Sequence, residues 1–487
     1  PPPTGAIPAT SATIGAAPTL PPTPTATTLP TATSVPTPTP TLTPAPTPTV
    51  TPSPTVAPTP TATAVPANVA PEGIAWLRDH AIPLTTDRPG GGYDDLEPLR
   101  EIVGDARLVA LGEATHGTSE FFTMKHRLVE FLVREMGFNL FAIEASWPDA
   151  ELVDVWVRTG RGDPRAALAG MKFWIWNTEE VLALIRWMRA HNERPGAAPV
   201  IGFRGFDMQY PQLAIDAVLA YVRQVDPAAI DRFTAYYAGF RPYQQVYPRS
   251  TYAGLPAATR GQLREGLQQA YAALRDGHAA YVAASSASEY DRALHSARLV
   301  TQAEAYFSHG DNSVAGWRVR DRAMADNAAW LLEQGGSGAK MILWAHNGHI
   351  GYLPYEWDQV PSMGGHLREW YGGELVAIGL TGYAGAFNTH SPTRRAIAAQ
   401  RLPPPPPDSY EAAFRQTDLP RLLLDLRDLP ARSRAAGWLW GPRRLRDIGA
   451  GYDEDRPEAY YAWLPLPEQF DALIYLQDTT PSARLRS

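Results

Sequence analysis

The stretch Arg107–Ala150, RLVALGEATHGTSEFFTMKHRLVEFLVREMGFNLFAIEASWPDA, decides how the rest of the chain is read. RLVALGE is a short apolar run ending in a carboxylate, and NLFAIEAS ends the same way. Between them Phe121, Met124, Leu128, Phe131, Leu132 and Met136 recur at three-to-four spacing, which predicts a helix with one apolar stripe. Thr118, Ser119 and Glu120 suit its start through side-chain capping and negative charge at the positive dipole end, and Gly137 supplies its stop. Two apolar strands joined by a crossover helix imply a parallel sheet covered on both faces, where ligands bind beyond the carboxyl ends of the strands. Glu113, His116 and Glu144 fall at those ends.

Upstream, composition changes abruptly. No charged residue precedes Glu72, and the tract is built from Pro, Thr, Ala and Ser, as in PTPTPTLTPAPTPTVTPSPT at 36–55. Such a composition cannot bury enough apolar surface to offset chain entropy, so residues 1–70 are expected to be a disordered Pro/Thr-rich spacer, with a globular domain at 71–487. The net charge of −7 therefore belongs to the later residues, and a mildly acidic domain without a basic patch argues against a nucleic-acid partner. With no cysteine, disulfides, thiol catalysis and thiolate metal sites are excluded. No run of about eighteen apolar residues reads as a membrane span. A long Pro/Thr spacer ahead of a globular domain leads us to expect a secreted or cell-surface protein tethered through that segment, with the cytoplasm as the alternative.

Downstream, GIAWLRDHAIPL predicts an opening helix and TEEVLALIRWMRAHNE an amphipathic one starting at Thr178 and Glu179. APVIGFRGFDMQ reads as a strand ending at Asp207, and AKMILWAHNGHIG as a strand ending at His346 and His349. ELVAIGLTGYAG and FDALIYLQDT read as two more strands, and RLPPPPPDS between them as a loop, since proline can neither donate to a ladder nor continue a helix. The intervening residues 211–335 are almost wholly helical in pattern and are expected to form a lid subdomain inserted into the α/β fold. The fold class is therefore α/β, with a mostly parallel central sheet flanked by helices.

Four separate strands thus bring Glu113 with His116, Glu144, Asp207, and His346 with His349 toward one sheet edge. Buried ionisable groups are costly unless paired, so convergence of acids and imidazoles points to a mutually paired polar site. A histidine held by a carboxylate is a general base near neutral pH. No G-x-S-x-G elbow is present, which leaves a serine nucleophile of the α/β-hydrolase kind without support. The rival chemistry is a divalent metal such as zinc or manganese on His116, His346, His349 and two carboxylates. The H-x-x-H spacing is not the helical H-E-x-x-H signature.

GEATHGTSEFFTMKHRLVEFLV, GFNLFAIEASWPDA, GFRGFDMQ, RDRAMADN and WAHNGHI, in this order, resemble the erythromycin esterase family over residues 71–487. The resemblance implies a hydrolase of ester or lactone bonds in a small-molecule substrate, without a cofactor or covalent enzyme intermediate. Its general base would be His116, with Glu113, Glu144, His346 and His349 as the other catalytic residues. Lys125 stands where members often carry an arginine, which removes the planar fork for bidentate binding. Lys125, Asp207 and Arg320 are expected at the substrate, Arg320 as a fixed donor to a developing negative oxygen. A metal-dependent hydrolase of another bond and a non-catalytic surface binding module are the other readings.

Overall fold

Alternation along the strands builds two cores. Leu108 and Ala110 enter one, and Val109 and Leu111 the other. Ala142 and Leu343 join the first, while Phe141, Ile143, Ile342 and Trp344 join the second. Successive strand side chains point to opposite faces, so a strand buried on both sides reads as an unbroken apolar run. That is why LVAL and MILW show no polar alternation.

The computed structural model describes residues 68–485, apart from 197–199, 244–248, 312, 355–359, 392–393 and 432. The expected spacer at 1–70 therefore lies, but for its last three residues, outside the described residues. In chain order the strands are β1 (Ile82–Pro83), β2 (Leu108–Leu111), β3 (Leu140–Ser146), β4 (Gly202–Asp207), β5 (Met341–Trp344) and β6 (Leu375–Ser391). They continue as β7 (Ala396–Leu402), β8 (Arg421–Asp425), β9 (Arg443–Arg446), β10 (Tyr461–Leu464) and β11 (Ala472–Thr479). Among the described residues a nine-stranded sheet runs β1-β8-β11-β6-β2-β5-β3-β4, with β7 paired to β6. The strands from β11 to β4 are parallel, and β1, β7 and β8 pair antiparallel at its margins. This is the mostly parallel α/β fold that the first βαβ unit implies. That unit skips a strand, because β5 inserts between β2 and β3.

Several local expectations need correction. The helix Ser119–Met136 is buried on nearly every face, Lys125, His126, Arg127 and Glu130 included, rather than along one stripe. Thr118 does not cap it through its side chain; its hydroxyl lies 2.5 Å from that of Thr115, and Glu120 instead accepts from the backbone and hydroxyl of Thr480. Ile82 and Pro83 leave the opening helix, Pro71–His80, and pair with β8, while Arg401 and Leu402 end β7 rather than begin a loop. RLLLD at 421–425, not singled out in the sequence, is a strand between β11 and β1. The described part of 211–335 is helical as expected, but its last helix, Val314–Gln334, puts Met324, Ala328 and Leu331 into the core shared with Leu108 and Met341. That end of the insert is therefore a covering layer of the sheet.

Candidate active site

The strand order sets β2, β5, β3 and β4 side by side and parallel, so their carboxyl ends share one edge of the sheet. All eight residues expected at the site meet there. Glu113 follows β2 by two residues and is fully buried. Its Oε1 lies 2.8 Å from His116 Nδ1, while Oε2 accepts from Lys125 Nζ at 2.8 Å and from the Trp344 indole at 3.1 Å. Burial alone would raise the Glu113 pKa, but Lys125 and His116 outweigh it and hold the carboxylate below its ordinary range. An ionised carboxylate can only accept, so His116 donates from Nδ1, and in the neutral ring Nε2 is the nitrogen that carries the lone pair. Glycines bracket this loop for steric reasons. A Cβ at Gly112 would collide with the Asn347 side chain, and one at Gly117 with the Asn388 backbone.

Lys125 itself has no exposed surface. Its ammonium sits behind Glu113 and 4.5 Å from the centre of the Trp344 ring, and burial lowers its pKa to about 8 against the pull of Glu113. The position expected to touch substrate is thus held behind the carboxylate.

The second cluster is organised by Arg320, on the helix Val314–Gln334. Its Nη2 donates to Glu144 Oε1 at 2.6 Å and to Asp207 Oδ2 at 2.7 Å, while Nη1 approaches His349 Nε2 at 2.8 Å. Burial would raise Glu144, but His349 and Arg320 hold it well below the carboxylate range. Asp207 also accepts from Gln209 at 2.7 Å, so both acids are bound to the guanidinium and neither is left with an uncompensated buried charge.

His346 joins the clusters. Its backbone N–H donates to Glu144 Oε2 at 3.1 Å, and its ring centre lies 5.0 Å from that of His116. The ring caps the short helix Asn347–Ile350: Nδ1 accepts from the Gly348 N–H at 3.2 Å, and Nε2 lies 3.1 Å from the Ile448 carbonyl, to which it donates. Burial keeps this imidazole neutral, with its pKa lowered. Among the described residues no group of three or more His, Asp or Glu is arranged to hold a metal ion.

A sequence model of the family described as erythromycin esterase matches residues 133–479. The chain belongs to the erythromycin esterase family. It is 28% identical over 338 residues to the erythromycin esterase type II of Escherichia coli, covering 64% of this chain and 77% of that protein. It is 26% identical over 435 residues to YbfO of Bacillus subtilis (strain 168), covering 84% and 92%. A solved erythromycin esterase mutant in its open conformation superposes with a TM-score of 0.68 at 16% identity, covering 83% of this chain and 99% of that one, which shows a shared fold. Membership in the erythromycin esterase family makes the chain a hydrolase.

Within this erythromycin esterase fold, some site residues lay outside the sequence reading. Asp321 holds His349 Nδ1 at 2.6 Å, yet it sits beside Arg320 in RDRAMADN with no sign that distinguishes it from a surface acid. Trp176 donates its indole N–H to the Glu144 carbonyl at 2.9 Å and stands edge-on to His116, 6.3 Å between ring centres. Asp447, 3.4 Å from His346 Nδ1, comes from the distant segment after β9. Only tertiary contact reveals Asp321 and Asp447; Trp176 is already legible in the sequence as one of the aromatics that could line a cleft.

Proposed function

We propose that this erythromycin esterase relative hydrolyses carboxylic esters or lactones with His116 as general base toward water and without a covalent enzyme intermediate. The observation that carries the proposal is the Glu113–His116 pair. The 2.8 Å contact at Nδ1 fixes one tautomer and leaves the Nε2 lone pair for a water proton, so that the water oxygen bonds to the carbonyl carbon as the proton moves to the ring. Positioned bases of this kind contribute about 10²- to 10⁴-fold in rate. Lys125 steadies Glu113 from behind instead of binding substrate, Asp207 and Glu144 hold Arg320, and Arg320 and His349 face the carbonyl oxygen and the leaving group. His346, with its Nε2 on the Ile448 carbonyl and its Nδ1 on the Gly348 N–H beside Asp447, keeps the Asn347–Ile350 turn in place. The cations of Lys125 and Arg320 beside the histidines favour direct water activation over a divalent metal, since like charges repel across a low-dielectric site.

We extend the proposal to the chain as a whole. Residues 1–70 are a spacer that tethers a catalytic domain at 71–487 outside the cell, and helices of the 211–335 insert cover the cleft and exclude water. The substrate is a small-molecule ester or lactone; nucleic acid is no partner.

The test is turnover of a panel of simple esters, lactones and a macrolide, with and without chelator, beside His116→Ala. Chelator-insensitive turnover lost in His116→Ala is the expected result. Turnover that survives in the variant above about a tenth of the wild-type rate ends the general-base assignment. Loss to chelator with recovery on zinc or manganese would make the histidines ligands, and a panel without any turnover would favour a binding module.

A further inference from the structure

The edge of the sheet holds a second acid–imidazole pair that mirrors the first. Asp321 is fully buried, and its Oδ1 lies 2.6 Å from His349 Nδ1 while also accepting the Met363 backbone N–H at 3.2 Å. Its other oxygen, Oδ2, is buried and receives no hydrogen bond among the described residues. A carboxylate kept so short of partners is expensive, and burial of that kind is retained where one partner matters. That partner is the ring of His349.

The groups packed around His349 fix what the ring can do. From the helix Val314–Gln334 come Asp321 at Nδ1 and Arg320 Nη1 at 2.8 Å from Nε2. From β3 comes Glu144, its Oε1 3.6 Å from Nε2. His346 precedes it by one helical turn and contributes no charge while neutral. The 2.8 Å approach of a guanidinium N–H requires a lone pair on Nε2, so the ring is in its neutral form with the proton on Nδ1, on Asp321. Glu144 stands ready on the same side as Nε2. A proton arriving at Nε2 displaces the Arg320 Nη1 contact and is stabilised by Asp321 behind and Glu144 beside, while Arg320 keeps its own bonds to Asp207 and Glu144. The two carboxylates outweigh burial and raise the His349 pKa, which agrees with this geometry.

We propose that Asp321 is the positioning residue of a second dyad in which His349, protonated at Nε2, is the general acid for the leaving alkoxide. The proposal rests on the ester-hydrolase reading above and completes its proton balance. His116 takes one proton as the water oxygen bonds to the carbonyl carbon. When the carbon–oxygen bond to the leaving group breaks, His349 gives the Nε2 proton to the departing oxygen, and Arg320 Nη1 returns to the vacated lone pair. The free acid and alcohol depart, and both rings re-equilibrate with solvent. The arrangement in the structure is that of His349 after donation.

The experiment varies the leaving group. An alkyl ester releases a strongly basic alkoxide that needs a proton, whereas a p-nitrophenyl ester releases a weak base that does not. Both esters of one acyl group are measured with wild type, His116→Ala, His349→Gln and the isosteric Asp321→Asn. His349→Gln and Asp321→Asn are expected to lower kcat for the alkyl ester at least about tenfold more than for the p-nitrophenyl ester, within the roughly 10²- to 10⁴-fold range of general-acid effects. His116→Ala is expected to lower both alike. Asp321→Asn should also shift to lower pH the limb on which alkyl-ester turnover falls as pH rises, since the amide no longer favours the ring cation. Equal losses on both esters, with an unmoved pH limb, would overturn the assignment and leave Asp321 a structural residue. If His116→Ala retains activity, the base assignment fails separately, and the leaving-group contrast still decides the role of His349.

Discussion

Lys125 Nζ and His116 Nδ1 bind opposite oxygens of one carboxylate, each 2.8 Å from Glu113. In the proposed mechanism the cation therefore acts with the base, although it touches nothing that reacts. With its pKa lowered by burial to about 8 from an ordinary 10.5, Lys125 loses its proton as pH rises through about 8, and Glu113 then faces His116 without its counter-charge. Activity should fall as pH rises through about 8. Over the window from about 8 to 10.5 the unfolded chain binds the proton that the folded chain has released, so the same group makes folding more favourable as pH rises. Ester turnover and urea unfolding measured in parallel should move in opposite directions, and Lys125→Arg, permanently charged, should carry the activity limb upward.

Glu113→Gln should cost stability as well as rate. Removing the charge leaves Lys125 buried without its carboxylate, a loss of about 3–5 kcal/mol for a broken buried pair. The double variant Glu113→Gln with Lys125→Met removes both charges and should recover most of that stability in chemical denaturation while remaining inactive. A double variant no more stable than Glu113→Gln alone would show that the pair is not what the fold depends on.

Arg320 holds two carboxylates, and its removal should be felt most at neutral pH. Glu144 has its pKa depressed in the folded state, so its contribution is present above the unfolded carboxylate value of 4.5 and is lost as pH falls below it. Arg320→Leu should destabilise the fold by about 3–5 kcal/mol at pH 7. At pH 4 the penalty should shrink, because Glu144 can protonate once the guanidinium is gone. Unfolding midpoints at the two pH values check this, and an equal penalty at both would place the role of Arg320 in packing.

Gly117→Ala should damage the site through the backbone. Its Cβ would overlap the Asn388 carbonyl, and a backbone neighbour cannot rotate away as a side chain can. Asn388 also gives its backbone hydrogen bond to this glycine, its N–H donating to the Gly117 carbonyl at 2.9 Å. We expect a loss of about 1–3 kcal/mol in stability and a fall in kcat as His116 shifts. Gly91→Ala, where nothing lies within 4 Å of the added atom, is the control.

What the sequence determined by itself was the βαβ frame, the parallel sheet and the identity of the acids and imidazoles at its edge. Those are local: apolar runs, helical spacing and turn residues report strand, helix and carboxyl end without reference to distant chain. The strand order was decided only in three dimensions, because β5, more than two hundred residues after β2, slides between β2 and β3 through backbone hydrogen bonds that no local pattern encodes. The same holds for the working parts of the site. Glu113, His116 and Lys125 sit close in sequence, but which oxygen each one takes depends on Trp344 and on burial. Asp321 differs from any helix-surface acid only because the fold turns it inward onto His349, and only the fold shows the His346 ring capping its own helix and bound to Ile448. Residue type limits the chemistry a side chain can perform; tertiary packing, by assigning each nitrogen and oxygen its partner, decides which of those roles remains open.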